Sequence, residues 1–185
     1  GASVAIWGRR SDRNDEAGRA YERALALDPN SAEAHSNYGN LLADLGRFVD
    51  AADSHERALS IRPDYAAAHN NLGYAWKRLG RYEIAAASFE RAVALQPGYA
   101  DALNNLAETL KERGDAAGAL THYRRALALA FTRAGVRSNM LLALNGIAEV
   151  DAETLFAEHR RWDALHGAGA LAPPPARPAL PEGPL

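Results

Sequence analysis

The sequence contains no cysteine, which excludes disulfides, thiolate metal centres and a cysteine nucleophile, and fits a reducing compartment such as the cytoplasm. Charge of either sign is not in excess. Against 23 Asp and Glu stand 21 Lys and Arg, for a formal −2, so the basic footprint of a nucleic-acid binder is missing. No apolar run approaches the roughly 20 residues that span a bilayer. The opening "GASVAIWGRR" has no basic leader, too short an apolar stretch for a signal peptide and no initiator Met, and is expected to be trimmed from a longer chain. No G-x-G-x-x-G, phosphate-binding loop or G-x-S-x-G motif occurs. With β-branched residues scarce and alanine abundant, the composition points to an all-α protein, and 185 residues suffice for a real core.

What is present is periodic. Six of the nine prolines crowd into the last 13 residues, and the other three are Pro29, Pro63 and Pro97, spaced by 34. A fixed period of this length marks a stacked array of repeats. Each proline follows a helical stretch ("RALALDP", "RALSIRP", "RAVALQP") that it cannot continue, having no N–H and a ring that clashes one turn back. Gly46, Gly80 and Gly114 keep the same ruler where a first helix must end. Small residues recur as Ala17, Ala51, Ala85 and Ala119, as Ala24, Ala58, Ala92 and Ala126, and as Gly39, Gly73 and Ala107, allowing paired helices to approach to about 8–10 Å. Large residues fill complementary series: Tyr38, Leu72, Leu106 and Met140, then Leu42, Trp76, Leu110 and Leu144, with Tyr21, His55, Phe89 and Tyr123 on the second helices.

This interlocked pattern resembles the tetratricopeptide repeat (TPR) over residues 13 to 133. The resemblance implies a right-handed superhelix of antiparallel helix pairs, with full repeats at 32–65, 66–99 and 100–133. Helices are expected near 32–45 and 48–61, 66–79 and 82–95, and 100–113 and 116–129. Residues 13–28 read as the second helix of an earlier repeat and residues 1–11 as its truncated first helix, so that the array occupies 1–133. After 133 the ruler fails. Residues 134–167 read as capping helices, the last near 152–166, N-capped by Asp151 with Leu155, Phe156, His159, Trp162 and Leu165 on one face. Residues 168–185 form a proline-rich linker, expected to be extended.

Asparagine is a poor helix former, yet it recurs inside the first helices. Asn37, Asn71, Asn105 and Asn139 share one repeat position, and Asn70 and Asn104 share the position before it, where Ser36 and Ser138 also sit. In a TPR array that helix lines the inner wall. With inner helices about 8–10 Å apart and an extended peptide advancing about 3.3 Å per residue, one amide would meet roughly every third peptide residue. An amide donates and accepts, so such a ladder would grip backbone whatever the side chains; alternatively it satisfies neighbouring backbone groups or sits solvated. Asn40, Tyr74 and Glu108 form the next inner series, then Asp44, Arg78 and Glu112, with Lys77 and Lys111 adjacent. The basic clamp of some co-chaperone TPRs is not seen, since Ser36, Asn70 and Asp101 stand where it needs Lys or Arg.

The histidines offer no metal-ligand spacing: His35 and His69 are equivalent positions one repeat apart, and His159 and His166 lie nearly two turns apart. Neither a metal nor a cofactor is expected. Residues 136 to 185 carry a narrower resemblance. "RSNMLLALN" followed by "LFAEHRRW", then "ARPALPEGPL", is similar to the segment joining TPRs to the catalytic region in bacterial relatives of O-GlcNAc transferase. That resemblance implies the substrate-recognition arm of a UDP-GlcNAc-dependent protein glycosyltransferase, with a polypeptide held on the asparagine ladder and catalytic residues outside this sequence, so the chain itself should not be an enzyme. The other reading is a free-standing TPR scaffold or assembly adaptor whose ends self-associate into a homo-oligomer.

Overall fold

The computed structural model describes residues 2–129 and Arg160, with side chains described from residue 14 onward. The chain divides into two compact units, Gly1–Ala148 and Glu149–Leu185, and the helices below belong to the first. The expected capping helix near 152–166, the linker 168–185 and Asn139 lie outside the described residues, apart from a helical Arg160.

Among the described residues the fold is seven helices and no strand: α1 (Ala2–Leu27), α2 (Ala32–Asp44), α3 (Phe48–Ile61), α4 (Ala66–Arg78), α5 (Tyr82–Leu95), α6 (Ala100–Glu112) and α7 (Ala116–Leu129). The second helices begin and end where the ruler places them. The first helices stop one residue early, because Leu45, Leu79 and Arg113 are caps rather than helical residues. Gly46, Gly80 and Gly114 follow with φ of 77°, 72° and 85°, a region that a Cβ disfavours. The Arg47 N–H then reaches the Leu42 carbonyl (2.9 Å) and the Gly46 N–H the Ala43 carbonyl (2.9 Å), and both bonds recur at Arg81 and Gly80 and at Asp115 and Gly114. These crossed bonds satisfy the orphan carbonyls of the helix end and reverse the chain.

One expectation fails. Residues 1–11 and 13–28 were to be separate helices, but α1 runs unbroken from Ala2 to Leu27. The position one period before Gly46 is Asp12. Without glycine there, the left-handed turn carries a steric penalty on the order of 1–2 kcal/mol, and the helix continues.

Packing follows the small-residue series. The pairs α2–α3, α4–α5 and α6–α7 make the heaviest contacts, and consecutive pairs stack through α3–α4 and α5–α6. First helices also touch one another, α2 with α4 and α4 with α6, whereas among the described residues no such contact joins α3 to α5 or α5 to α7. The stack therefore curves with α2, α4 and α6 on its inside. Ala51, Ala58, Ala85, Ala92, Ala119 and Ala126 are all completely buried. A Cβ on Gly73 would lie 2.8 Å from the Phe89 ring, and one on Gly39 would lie 2.7 Å from the His55 ring. Leu42, Ala51, Ala52, Leu72 and Ala75 form one core cluster, and Ala92, Val93, Ala102, Leu103 and Ala126 another. Two turns are stitched by histidine: the Nε2–H of His35 donates to the Pro29 carbonyl and that of His69 to the Pro63 carbonyl, both at 3.0 Å. This gives the repeated histidines a structural task.

His55 fills the slot that Phe89 and Tyr123 fill in the later repeats. Its ring is fully buried and neither nitrogen has a hydrogen-bond partner. Burial alone pushes its pKa down to about 4. An unfolded imidazole titrates near 6.5, so below that pH the unfolded state takes up a proton that the folded state refuses. The stability present in full above about pH 6.5 is therefore lost as the pH falls towards 4. His55→Phe should abolish that loss and raise stability at neutral pH by about 1–3 kcal/mol, since no ring nitrogen is left unpaired. Denaturant unfolding at pH 7 and pH 5 checks this, and an unchanged pH dependence in the variant would place the acid sensitivity elsewhere. By the same assay Leu72→Ala should lose about 2–5 kcal/mol as a core truncation; a neutral result would mean the core face is misassigned.

Candidate functional site

The inner wall is formed by α2, α4 and α6, which bring Asn40, Asn70, Asn71, Asn104, Asn105, Lys77 and Glu108 within reach of one another. Their amides do not stand as separate rungs. Asn105 Nδ2 donates to Asn70 Oδ1 (3.0 Å), Asn70 Nδ2 to Asn71 Oδ1 (3.1 Å), and Asn71 Nδ2 to Asn40 Oδ1 (2.7 Å). A single line of amides thus runs in one direction across three repeats, from α6 through α4 to α2. Each amide carries two N–H groups and two acceptor lone pairs, so one bond in and one out leaves half of that capacity on Asn71. Bonds in such a chain polarise one another.

The tandem Asn70–Asn71 now has a physical reason. Asn71 reaches back to α2 and Asn70 accepts from α6, so the pair splices two inter-repeat contacts that neither residue could make alone. Asn105, the repeat equivalent of Asn71, does not bond to the equivalent of Asn40, because that position is Tyr74. The Tyr74 ring instead meets Phe48 of α3 edge-on (centroids 6.3 Å apart), and its hydroxyl accepts from Arg78 Nη1 at 2.8 Å. The Arg78 guanidinium lies 4.4 Å over the Phe48 ring. Asn105 uses Asn70 instead.

Beside the amides, Lys77 of α4 pairs with Glu108 Oε2 of α6, and Asn104 Nδ2 donates to Glu108 Oε1 at 3.0 Å. The Lys77 and Glu108 side chains are 20% and 28% exposed, so this pair is less screened than the surface pair Arg47–Asp50.

The ten predicted site residues therefore fall into unequal groups. Asn71, Asn105, Asn40, Asn104, Lys77 and Glu108 share the connected wall, and Tyr74 is exposed next to it. Asn70, expected among the peptide-binding residues at the position before the ladder, is only 7% exposed and acts as an internal splice. Asn37 is exposed on α2 and is not drawn into the line, since among the described residues no inner helix precedes α2 to receive it. Sequence reasoning missed the Phe48–Tyr74–Arg78 cluster. Its only signal was aromatic and cationic residues four apart on α4, which does not reveal the α3 partner. Among the described residues no group of three or more His, Asp or Glu could hold a metal ion, and no helix is long and apolar enough to cross a membrane.

The comparisons agree with this architecture. Family models described as TPR repeat match residues 9–46 and 39–80, and tetratricopeptide-repeat models match residues 66–99 and 88–121. These are repeat models, not catalytic domains. Two crystal structures of MamA are similar at 26% sequence identity. One superposes with a TM-score of 0.74, covering 86% of this chain and 94% of that one, and the other with 0.73, covering 92% and 95%. A search of curated proteins finds no match. An array of tetratricopeptide repeats therefore makes up residues 9–121 of this protein.

Proposed function

We propose that the inner wall holds an extended polypeptide segment of a partner protein and that the chain serves as an interaction scaffold rather than a catalyst. The observation that carries this reading is the line of amides from Asn105 to Asn40, with Lys77 and Glu108 beside it, on the inner curve of the stack. The surviving N–H and C=O valences of Asn71 and Asn105 suit peptide backbone, and Tyr74, Lys77 and Glu108 would select among side chains. A reducing compartment such as the cytoplasm suits a chain without cysteine. A second reading, the arm of a protein glycosyltransferase, is favoured only by the sequence similarity of residues 136–185. Its test is the native reading frame beyond Leu185, where an α/β pattern would support it and a stop codon would reject it.

Grip and wall-building are read by separate measurements, affinity and stability, since Asn71 and Asn105 are also the two partners of buried Asn70. Replacing Asn71 and Asn105 together by Ala should weaken a peptide captured from a random display library roughly tenfold or more, at about 1 kcal/mol per rung. Titration of that peptide against both proteins reads the difference, and equal affinities would refute the grip. Asn70→Ala should act on the fold, because it leaves the buried line without its splice: a loss of about 1–3 kcal/mol in denaturant unfolding. Asn37→Ala, exposed and outside the line, should change stability by less than about 0.5 kcal/mol.

A further inference from the structure

Asp44, Arg78 and Glu112 stand one repeat apart at the C-terminal ends of α2, α4 and α6, and all three are exposed. Their signs alternate along the inner wall: acidic, basic, acidic. Among the described residues none of the three forms an ion pair, whereas neighbouring Lys77 pairs with Glu108, and Arg113 with Glu83. Opposite charges on adjacent helices are thus left separate.

The reason lies at Arg78. Its guanidinium is held 4.4 Å over the Phe48 ring and 5.8 Å from the centre of the Tyr74 ring, with Nη1 donating to the Tyr74 hydroxyl at 2.8 Å. The two rings keep the cation on α4's own station, turned to neither Asp44 nor Glu112. A guanidinium has five N–H donors. One is engaged here, and the others can still take a carboxylate by two parallel bonds. Stacking on aromatic faces fixes the plane in which a carboxylate must approach.

Spacing selects the conformation of what would meet these charges. Neighbouring inner helices are about 8–10 Å apart. A β-strand returns a side chain to the same face every second residue, after about 6.6 Å. A polyproline II segment does so every third residue, after about 9.3 Å, and leaves its N–H and C=O groups unpaired. Those free groups are what the remaining valences of Asn71 and Asn105 need. Resting on the reading of the inner wall as a peptide groove, we propose that it selects a segment in polyproline II conformation with a charge register. An Asp or Glu of that segment sits on Arg78, and a Lys or Arg three positions to either side sits on Asp44 and on Glu112. The register is the same read in either direction, so it holds whichever way the segment runs. The acid is an internal side chain, because a chain end has no following residue to meet the third charge.

The test is selection from a random peptide display library, with constant residues at both ends, on the unaltered protein and on Arg78→Glu. Peptides captured by the unaltered protein should share an acidic residue with basic residues at −3 and +3. Arg78→Glu should change the central residue to Lys or Arg. A synthetic blocked peptide of that pattern should bind the unaltered protein roughly tenfold more tightly than its twin with a central Gln. Against Arg78→Gln, which keeps a neutral side chain on α4 should the reversed charge unfold it, the two peptides should differ by less than about threefold. Captured peptides without shared charges, or a central acid that survives Arg78→Glu, overturn the charge register while leaving the groove. A basic spacing of two or four, the same-face periods of a β-strand, overturns the polyproline conformation. If no peptide is captured, both the register and the groove fall.

Discussion

The first two full repeats depend on one close approach, a second-helix ring laid directly on a first-helix residue that lacks a Cβ, and the third keeps the position small with Ala107. At Gly73 the Phe89 ring leaves no room for a methyl group, and the same holds at Gly39 for His55. That contact sets the separation within each pair. It brings the flanking alanines to complete burial and makes each pair a unit that stacks on the next. The turn glycines serve the same end by reversing the chain in three residues, so that the ring arrives opposite its glycine. Where the turn glycine is replaced, at Asp12, the hairpin is lost and an aromatic face is left open.

The inner wall is a consequence of this stacking rather than a separate device. First helices meet one another, so their polar side chains must find partners across a boundary between repeats. Asparagine does this at short range with one donor and one acceptor, and the line from Asn105 to Asn40 joins three helices without burying a charge. The Lys77–Glu108 ion pair on this wall bridges the same two helices as the Asn105–Asn70 bond. Geometry that fixes the angle between repeats also fixes the surface offered to a partner. A scaffold read in this way binds on the same atoms that hold its curvature.

His55 shows that a slot can be kept while its ideal occupant is not. An imidazole has nearly the shape of the phenyl ring at Phe89, but it carries two nitrogens that nothing in this core satisfies. The first full repeat is thus built on the same steric plan as the second, with an acid-sensitive ring at its centre.

The repeat period, the boundaries of α2 to α7 to within one residue, and the buried alanines and aromatic slots of the three full repeats were legible in the sequence, because they rest on local rules: proline and glycine stop helices, and small residues must face large ones. The inner-wall location of the asparagines followed from the same register. What tertiary structure decided was where each amide bonds. Asn70, Asn71 and Asn105 look interchangeable along the chain, yet Asn70 is an internal splice, and Asn105 skips the position of Tyr74 because Phe48 and Arg78 hold that ring elsewhere. Such choices depend on atoms 31 to 35 residues apart in sequence, whose side chains have several partners of equal chemistry within reach. Local propensity cannot rank those partners; only the distance and angle at which two packed helices cross can.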